Sequence, residues 1–138
     1  MKKKIIIPAM LAISGIFILS MISGFKPFDG KPWPVPDNYK NMKNPVASNT
    51  ESIANGKTLY ATHCKSCHGS KGLGDGSKAA QLKTEPGDFS TANFQSQSDG
   101  SIFYKTTEGR DDMPSFKKKI PDNDDRWSLV NFIRTLKK

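Results

Sequence analysis

Cys64-Lys65-Ser66-Cys67-His68 is the stretch on which the reading of this chain turns. Two thiols about one helical turn apart can each add across one vinyl group of the same porphyrin, and the histidine that follows then lies under the iron. A Cys-x-x-Cys-His run therefore reads as a site of covalent c-type haem attachment. Cys64 and Cys67 are the only cysteines in the 138 residues. Three other readings are weaker. A disulfide here would close a very small loop and contribute little stability. A thioredoxin-like pair expects a βαβ setting, whereas the flanks read as helix before and glycine-rich loop after. A zinc site needs four ligands in a tetrahedral array, and His63, Cys64, Cys67 and His68 crowd a single turn.

The haem motif predicts an exported protein, and the start of the chain agrees. Met1-Lys2-Lys3-Lys4 precedes an apolar run from Ile5 to Ile22, broken only by Pro8, Ser14, Gly15 and Ser20. As helix this run would reach roughly 27 Å, just enough for a bilayer core. Residues 1–24 are expected to be a signal peptide or an uncleaved membrane anchor, and both stay open. Ile22-Ser23-Gly24 is only a fair cleavage site. With an anchor, Lys2–Lys4 stay cytoplasmic and the remainder lies outside. Either way the expected location is extracytoplasmic: the outer face of a bacterial cytoplasmic membrane, or the periplasm.

The formal charge is +8, and without Lys2, Lys3 and Lys4 it is +5. Two haem propionates would bring it nearer +3. Such a domain prefers an acidic protein partner or an anionic surface. No basic stripe interleaved with aromatics points to nucleic acid.

Residues 25–47 hold Pro27, Pro32, Pro34, Pro36 and Pro45. That density breaks helices and favours extended chain, so the segment reads as a stiff tether, with a disordered linker as the bland alternative. Trp33 is its one candidate for packing on the domain. The folded part is expected over 48–138, roughly 90 residues, which is small for a single core and is helped by a large apolar cofactor. Ser48-x-x-Glu51 reads as a capping box opening a helix over about 49–62. Gly69, Gly72, Gly74 and Gly76 form a loop that lacks a preceding strand and a Walker ending, so phosphate binding is not indicated. A short helix is expected over 77–82, and another over 101–107 with Ile102 and Phe103 inward and Gly109 as its stop. The last helix begins at Pro121-Asp122, with acidic residues at its start and Lys137 and Lys138 at its end. Trp127, Val130, Ile133 and Leu136 recur at helical spacing. No segment alternates as a strand, so the fold class is all-α: a small domain of three to five helices around one haem, preceded by an N-terminal hydrophobic helix.

With His68 on one side of the iron, a second axial ligand is sought among Met1, Met10, Met21, Met42, Met113 and His63. The first three lie in the apolar run and Met42 in the tether. His63, beside Cys64, is too close in sequence to reach round the ring. Met113 stands in the loop Asp111-Asp112-Met113-Pro114-Ser115-Phe116 between two helices, stiffened by the following proline. On its own it would read as core filler. Opposite a haem motif it reads as the thioether ligand, which holds iron six-coordinate and raises its potential.

Over 48–138 the chain resembles a monohaem class I cytochrome c of bacterial type. The likeness rests on Gly56-x-x-x-Tyr60, Cys64–His68-Gly69, the Met113 loop, and Trp127-Ser128-Leu129-Val130-Asn131-Phe132-Ile133-Arg134. It implies one haem c attached through Cys64 and Cys67, with His68 and Met113 as metal ligands. It also implies first and last helices crossing near Gly56 and Tyr60 against Trp127 and Ile133. A backbone carbonyl for the proximal histidine is expected near Pro86. The tether is weakly similar to those of membrane-tethered cytochromes.

Three functions follow as expectations. The first is a one-electron carrier in an extracytoplasmic respiratory chain, not an enzyme, served by a reductase donor and an oxidase or cytochrome acceptor. Lys117-Lys118-Lys119 would steer an acidic partner, or is an ordinary solvated charge run. The second is a fixed haem subunit of a larger quinol-oxidising or terminal oxidase complex. The third, against which Met113 speaks, is a sensor with an open iron.

Overall fold

The computed structural model describes residues 32–138. The apolar run 5–22 lies outside the described residues, and with it the expected hydrophobic helix. Among the described residues no helix is long and apolar enough to cross a membrane, and there is no strand. In chain order the elements are α1 (Asp37–Lys40), α2 (Thr50–His63), α3 (Lys65–His68), a 3-10 turn (Ala79–Gln81), α4 (Ala92–Gln95), α5 (Asp99–Glu108) and α6 (Asn123–Arg134). The domain is all-α, as expected. Its long helices are α2, α5 and α6; α1, α3 and α4 are single turns.

The helix starts follow from side chains that satisfy otherwise orphaned amides. The capping box of α2 sits one residue later than Ser48/Glu51. The Asn49 side chain accepts from the Ser52 amide at 2.9 Å, and the Ser52 hydroxyl accepts from the Asn49 amide at 3.2 Å. Ser52 is buried and can also donate to the Ala47 carbonyl at 2.7 Å, whereas Glu51 stays in solvent. Ser98 caps α5 and Asp122 caps α6. Gly109 ends α5 at φ +69°, a backbone conformation that costs glycine little.

The fold is organised by α2 crossing α6. A Cβ on Gly56 would lie 2.1 Å from the Ser128 carbonyl oxygen and 2.9 Å from the Phe132 Cβ. Only a bare backbone lets the helices approach this closely. Tyr60 then meets Phe132, with ring centroids 5.1 Å apart. The contacts seen at this crossing are with Ser128 and Phe132, while Tyr60, Trp127 and Ile133 share one core cluster. Trp127 stacks on Phe103 of α5 at 4.0 Å and 11°. Tyr60, Ile120, Leu129 and Val130 are almost wholly buried.

Residues 32–47 lie against this body. Asn44 donates to the Asn131 side-chain oxygen at 2.8 Å and to the Trp127 carbonyl at 3.2 Å. Buried Asn131 donates in return to the Val46 carbonyl at 3.1 Å. Prolines stiffen the segment, and side chains at both of its ends fasten it to the domain.

Candidate haem site

The predicted haem motif folds as the end of α2 and the turn α3. The His68 amide donates to the Cys64 carbonyl at 2.9 Å, so the motif occupies one helical turn. Both cysteines are free thiols. Cys64 is buried among the core residues, and burial, with Cys67 beside it, pushes its thiol up to about 12. It is therefore protonated at neutral pH. Cys67 is half-buried.

His68 is 8 % exposed. Its ring stacks on Phe89 at 4.4 Å and 30°, and Phe89 stacks in turn on Phe94 at 4.4 Å. Burial pulls the imidazole down to about 4, with the Pro86 carbonyl acting the other way. The ring is neutral at pH 7, the form that binds metal. Its Nδ1 is buried and makes no full hydrogen bond. Pro86 is the residue the sequence singled out for this neighbourhood. The loop after His68 is closed by Gly74 donating to the His68 carbonyl at 2.9 Å and Phe89 to Gly72 at 2.7 Å. The Tyr60 hydroxyl anchors it by donating to the Gly69 carbonyl at 2.7 Å.

Met113 is half-buried against the same core cluster that contains Cys64 and Phe89. It ends a tight turn. The Arg110 amide donates to the Met113 carbonyl at 2.8 Å, and the Met113 amide donates back to Arg110 at 2.9 Å. Asp111 takes φ +51° within it, which aspartate tolerates better than most residues. A Cβ on Gly109 would lie 2.4 Å from the Met113 carbonyl oxygen, so the helix stop is also what lets the turn fold back. Beyond the turn, the Ser115 hydroxyl donates to the Thr107 carbonyl at 2.7 Å and the Phe116 amide to Thr106 at 3.3 Å.

Two features escaped the sequence reading. The Asp112 carboxylate accepts from the amides of Lys83 and Thr84 at 2.7 and 3.3 Å. It joins the methionine turn to the segment that leads to Pro86. The adjacent aspartates were visible in sequence, but their distant partners were not. His63, set aside as a ligand, places its ring against Phe116, centroids 6.0 Å apart.

The donor set suits a covalently held porphyrin: two free thiols one turn apart, a neutral buried imidazole beside them, and a thioether against the same core. The family model for cytochrome c matches residues 53–137, more than half of the chain and inclusive of the haem motif and the Met113 turn. The chain belongs to the cytochrome c family. It is a monohaem class I cytochrome c, and a covalently bound haem c comes with membership. No curated protein matches the sequence. Among solved structures, this cytochrome is similar to a chain of a Kuenenia stuttgartiensis reducing HAO-like protein complex, with 29% identity and a TM-score of 0.63. That match covers 80% of the cytochrome but only 53% of the other chain, about half its length. The c-type cytochrome KustC0563 matches at 32% identity and a TM-score of 0.52, covering 60% of this chain and 98% of that one. Cytochrome CL of Methylophaga aminisulfidivorans shares the fold at 18% identity and a TM-score of 0.50, over 80% and 71% of the two chains.

Proposed function

We propose that this cytochrome is a one-electron carrier whose haem is attached through Cys64 and Cys67, with His68 and Met113 as axial ligands. The haem, when bound, supplies the one-electron redox chemistry. The observation that carries the reading is the placing of a neutral, buried His68 and a half-buried Met113 around one core cluster. His68 is fixed by its turn and by Phe89, and Met113 by the turn it ends. Ligands held this firmly favour oxidation and reduction without ligand exchange. Residues 1–24 serve export or anchoring, so the domain works outside the cytoplasm in a respiratory chain, passing electrons between a reductase and an oxidase or another cytochrome.

A second reading, a fixed haem subunit of a larger complex, is supported by the similarity to a chain of an HAO-like protein complex. Copurification in mild detergent distinguishes the two. A visible spectrum with a pyridine haemochrome tests the haem itself. In the oxidised wild type a methionine–iron band is expected near roughly 700 nm, and Met113→Ala should abolish it and lower the potential. A wild type that lacks the band and binds carbon monoxide readily overturns the Met113 assignment in favour of an open iron.

A further inference from the structure

We infer that residues 32–44 are a positioning strap for the ligand loop: Trp33, by holding Arg110, sets how firmly the Met113 turn stays closed. This rests on the assignment of Met113 as a ligand.

The strap is fastened along α5 and then at α6. Val35 is 7 % exposed, which is unusual for a residue between two prolines in a supposed tether. The Tyr39 ring meets Tyr104 at 4.8 Å. A Cβ on Gly100 would lie 1.8 Å from the Tyr39 carbonyl oxygen, so α5 carries a glycine where the strap crosses it. Asn44 closes the far end on α6.

The near end reaches the ligand loop. The Arg110 guanidinium lies over the Trp33 ring at 4.5 Å from its centroid, and its Nη1 donates to the Pro32 carbonyl at 3.0 Å. The Lys105 ammonium approaches the same ring at 5.6 Å. A cation placed over an indole is held electrostatically by the ring face. Arg110 is also the residue whose backbone exchanges both hydrogen bonds with Met113. Its side chain grips the strap while its main chain forms the first position of the methionine turn. Releasing Trp33 therefore removes the ring-face hold on the hinge-side residue of that turn and leaves Met113 itself untouched. The Arg110–Asp111 ion pair, at 3.5 Å, is local to the turn.

The test uses the full, haem-loaded chain and titrates the oxidised protein with free imidazole, which binds iron when methionine lets go. Trp33→Ala should tighten imidazole binding by about five- to tenfold, as expected for loss of a cation–π hold that biases the closed turn. Trp33→Phe, which keeps a weaker ring face, should fall between. Asn44→Ala cuts the other end of the strap; it should lower the unfolding midpoint and leave imidazole affinity within about twofold of wild type. If the wild type shows the methionine–iron band and Trp33→Ala binds imidazole as the wild type does, the strap has no hold on the loop. Equal shifts in Trp33→Ala and Asn44→Ala would mean a general loss of stability, which also overturns it. A wild type with no such band removes Met113 as ligand, and the strap's role goes with it.

Discussion

Asp88 shows how much of the site is held by residues that touch neither thiol nor ligand. Its carboxylate accepts from the Ser90 amide at 2.8 Å and from the Ser90 hydroxyl at 2.6 Å, forming the small turn that presents Phe89 to His68. The Ser90 hydroxyl holds this carboxyl below its ordinary value of 3.8. A depressed carboxyl stabilises the fold above the unfolded value and loses that contribution as pH falls through the folded one. The stability difference between the wild type and Asp88→Ala should therefore be full above about pH 3.8 and shrink as acid is added below it. Denaturant midpoints of the haem-loaded proteins across this range measure it, and a gap that stays constant into acid would show that the charge is irrelevant. Asp88→Asn, which keeps an acceptor but cannot titrate here, should lack the acid-dependent change. His68 depends on this turn because Phe89 stacks on its ring, while its buried Nδ1 makes no full hydrogen bond.

Among elements, the crossing of α2 and α6 fixes where the haem motif can stand, because Cys64 follows α2 directly. Gly56→Ala would place a methyl 2.1 Å from the Ser128 carbonyl oxygen, which belongs to helix backbone and cannot yield as a flexible side chain would. The helices would have to separate, at a cost of about 3 kcal/mol. A denaturant midpoint unchanged from wild type would show that the crossing is looser than drawn. This element was largely legible in sequence: a glycine and a tyrosine four residues apart before the haem motif, and an apolar stripe in the last helix. The motif turn, the Gly109 stop and the Met113 loop were legible too, because each rests on local chemistry. What was not legible depends on residues far apart in the chain. Trp33 pairs with Arg110, Asp112 with the amides of Lys83 and Thr84, and Asn44 with Asn131. Proline content argues for extended chain over residues 25–47, but that does not decide whether a segment stands away from a domain or lies on it. That depended on Tyr39 and Asn44 finding partners on α5 and α6. The cap of α2 was misplaced by one residue because Ser48 and Asn49 are both good caps by residue type, and it is Asn49 that pairs reciprocally with Ser52.

For the molecule as a whole, charge governs the encounter with partners more than any single contact does. The chain carries a formal +8, which is +5 without Lys2, Lys3 and Lys4, and the field of a net positive domain attracts anions over distances of about a Debye length, roughly 10 Å in 0.1 M salt. The lysine run after the methionine loop contributes unevenly. Lys117 is paired with Glu108 at 2.6 Å, which neutralises it locally, and Lys119 lies over the Phe116 ring at 5.7 Å. Lys118 is exposed between them. Small inorganic reagents separate steering from docking, because they carry charge but have no surface to fit. Oxidation of the reduced, haem-loaded protein by ferricyanide should slow by roughly tenfold as salt rises from about 0.01 M to 0.5 M. Oxidation by a cationic cobalt complex should accelerate over the same range. Lys118→Ala and Lys117→Ala should each lower the ferricyanide rate at low salt by about twofold, because each removes one positive charge. Stopped-flow rates that ignore ionic strength for both reagents would show that the net charge does not reach the site of electron exit. The lysine run would then be an ordinary solvated surface, and partner selection would have to come from shape at the haem edge.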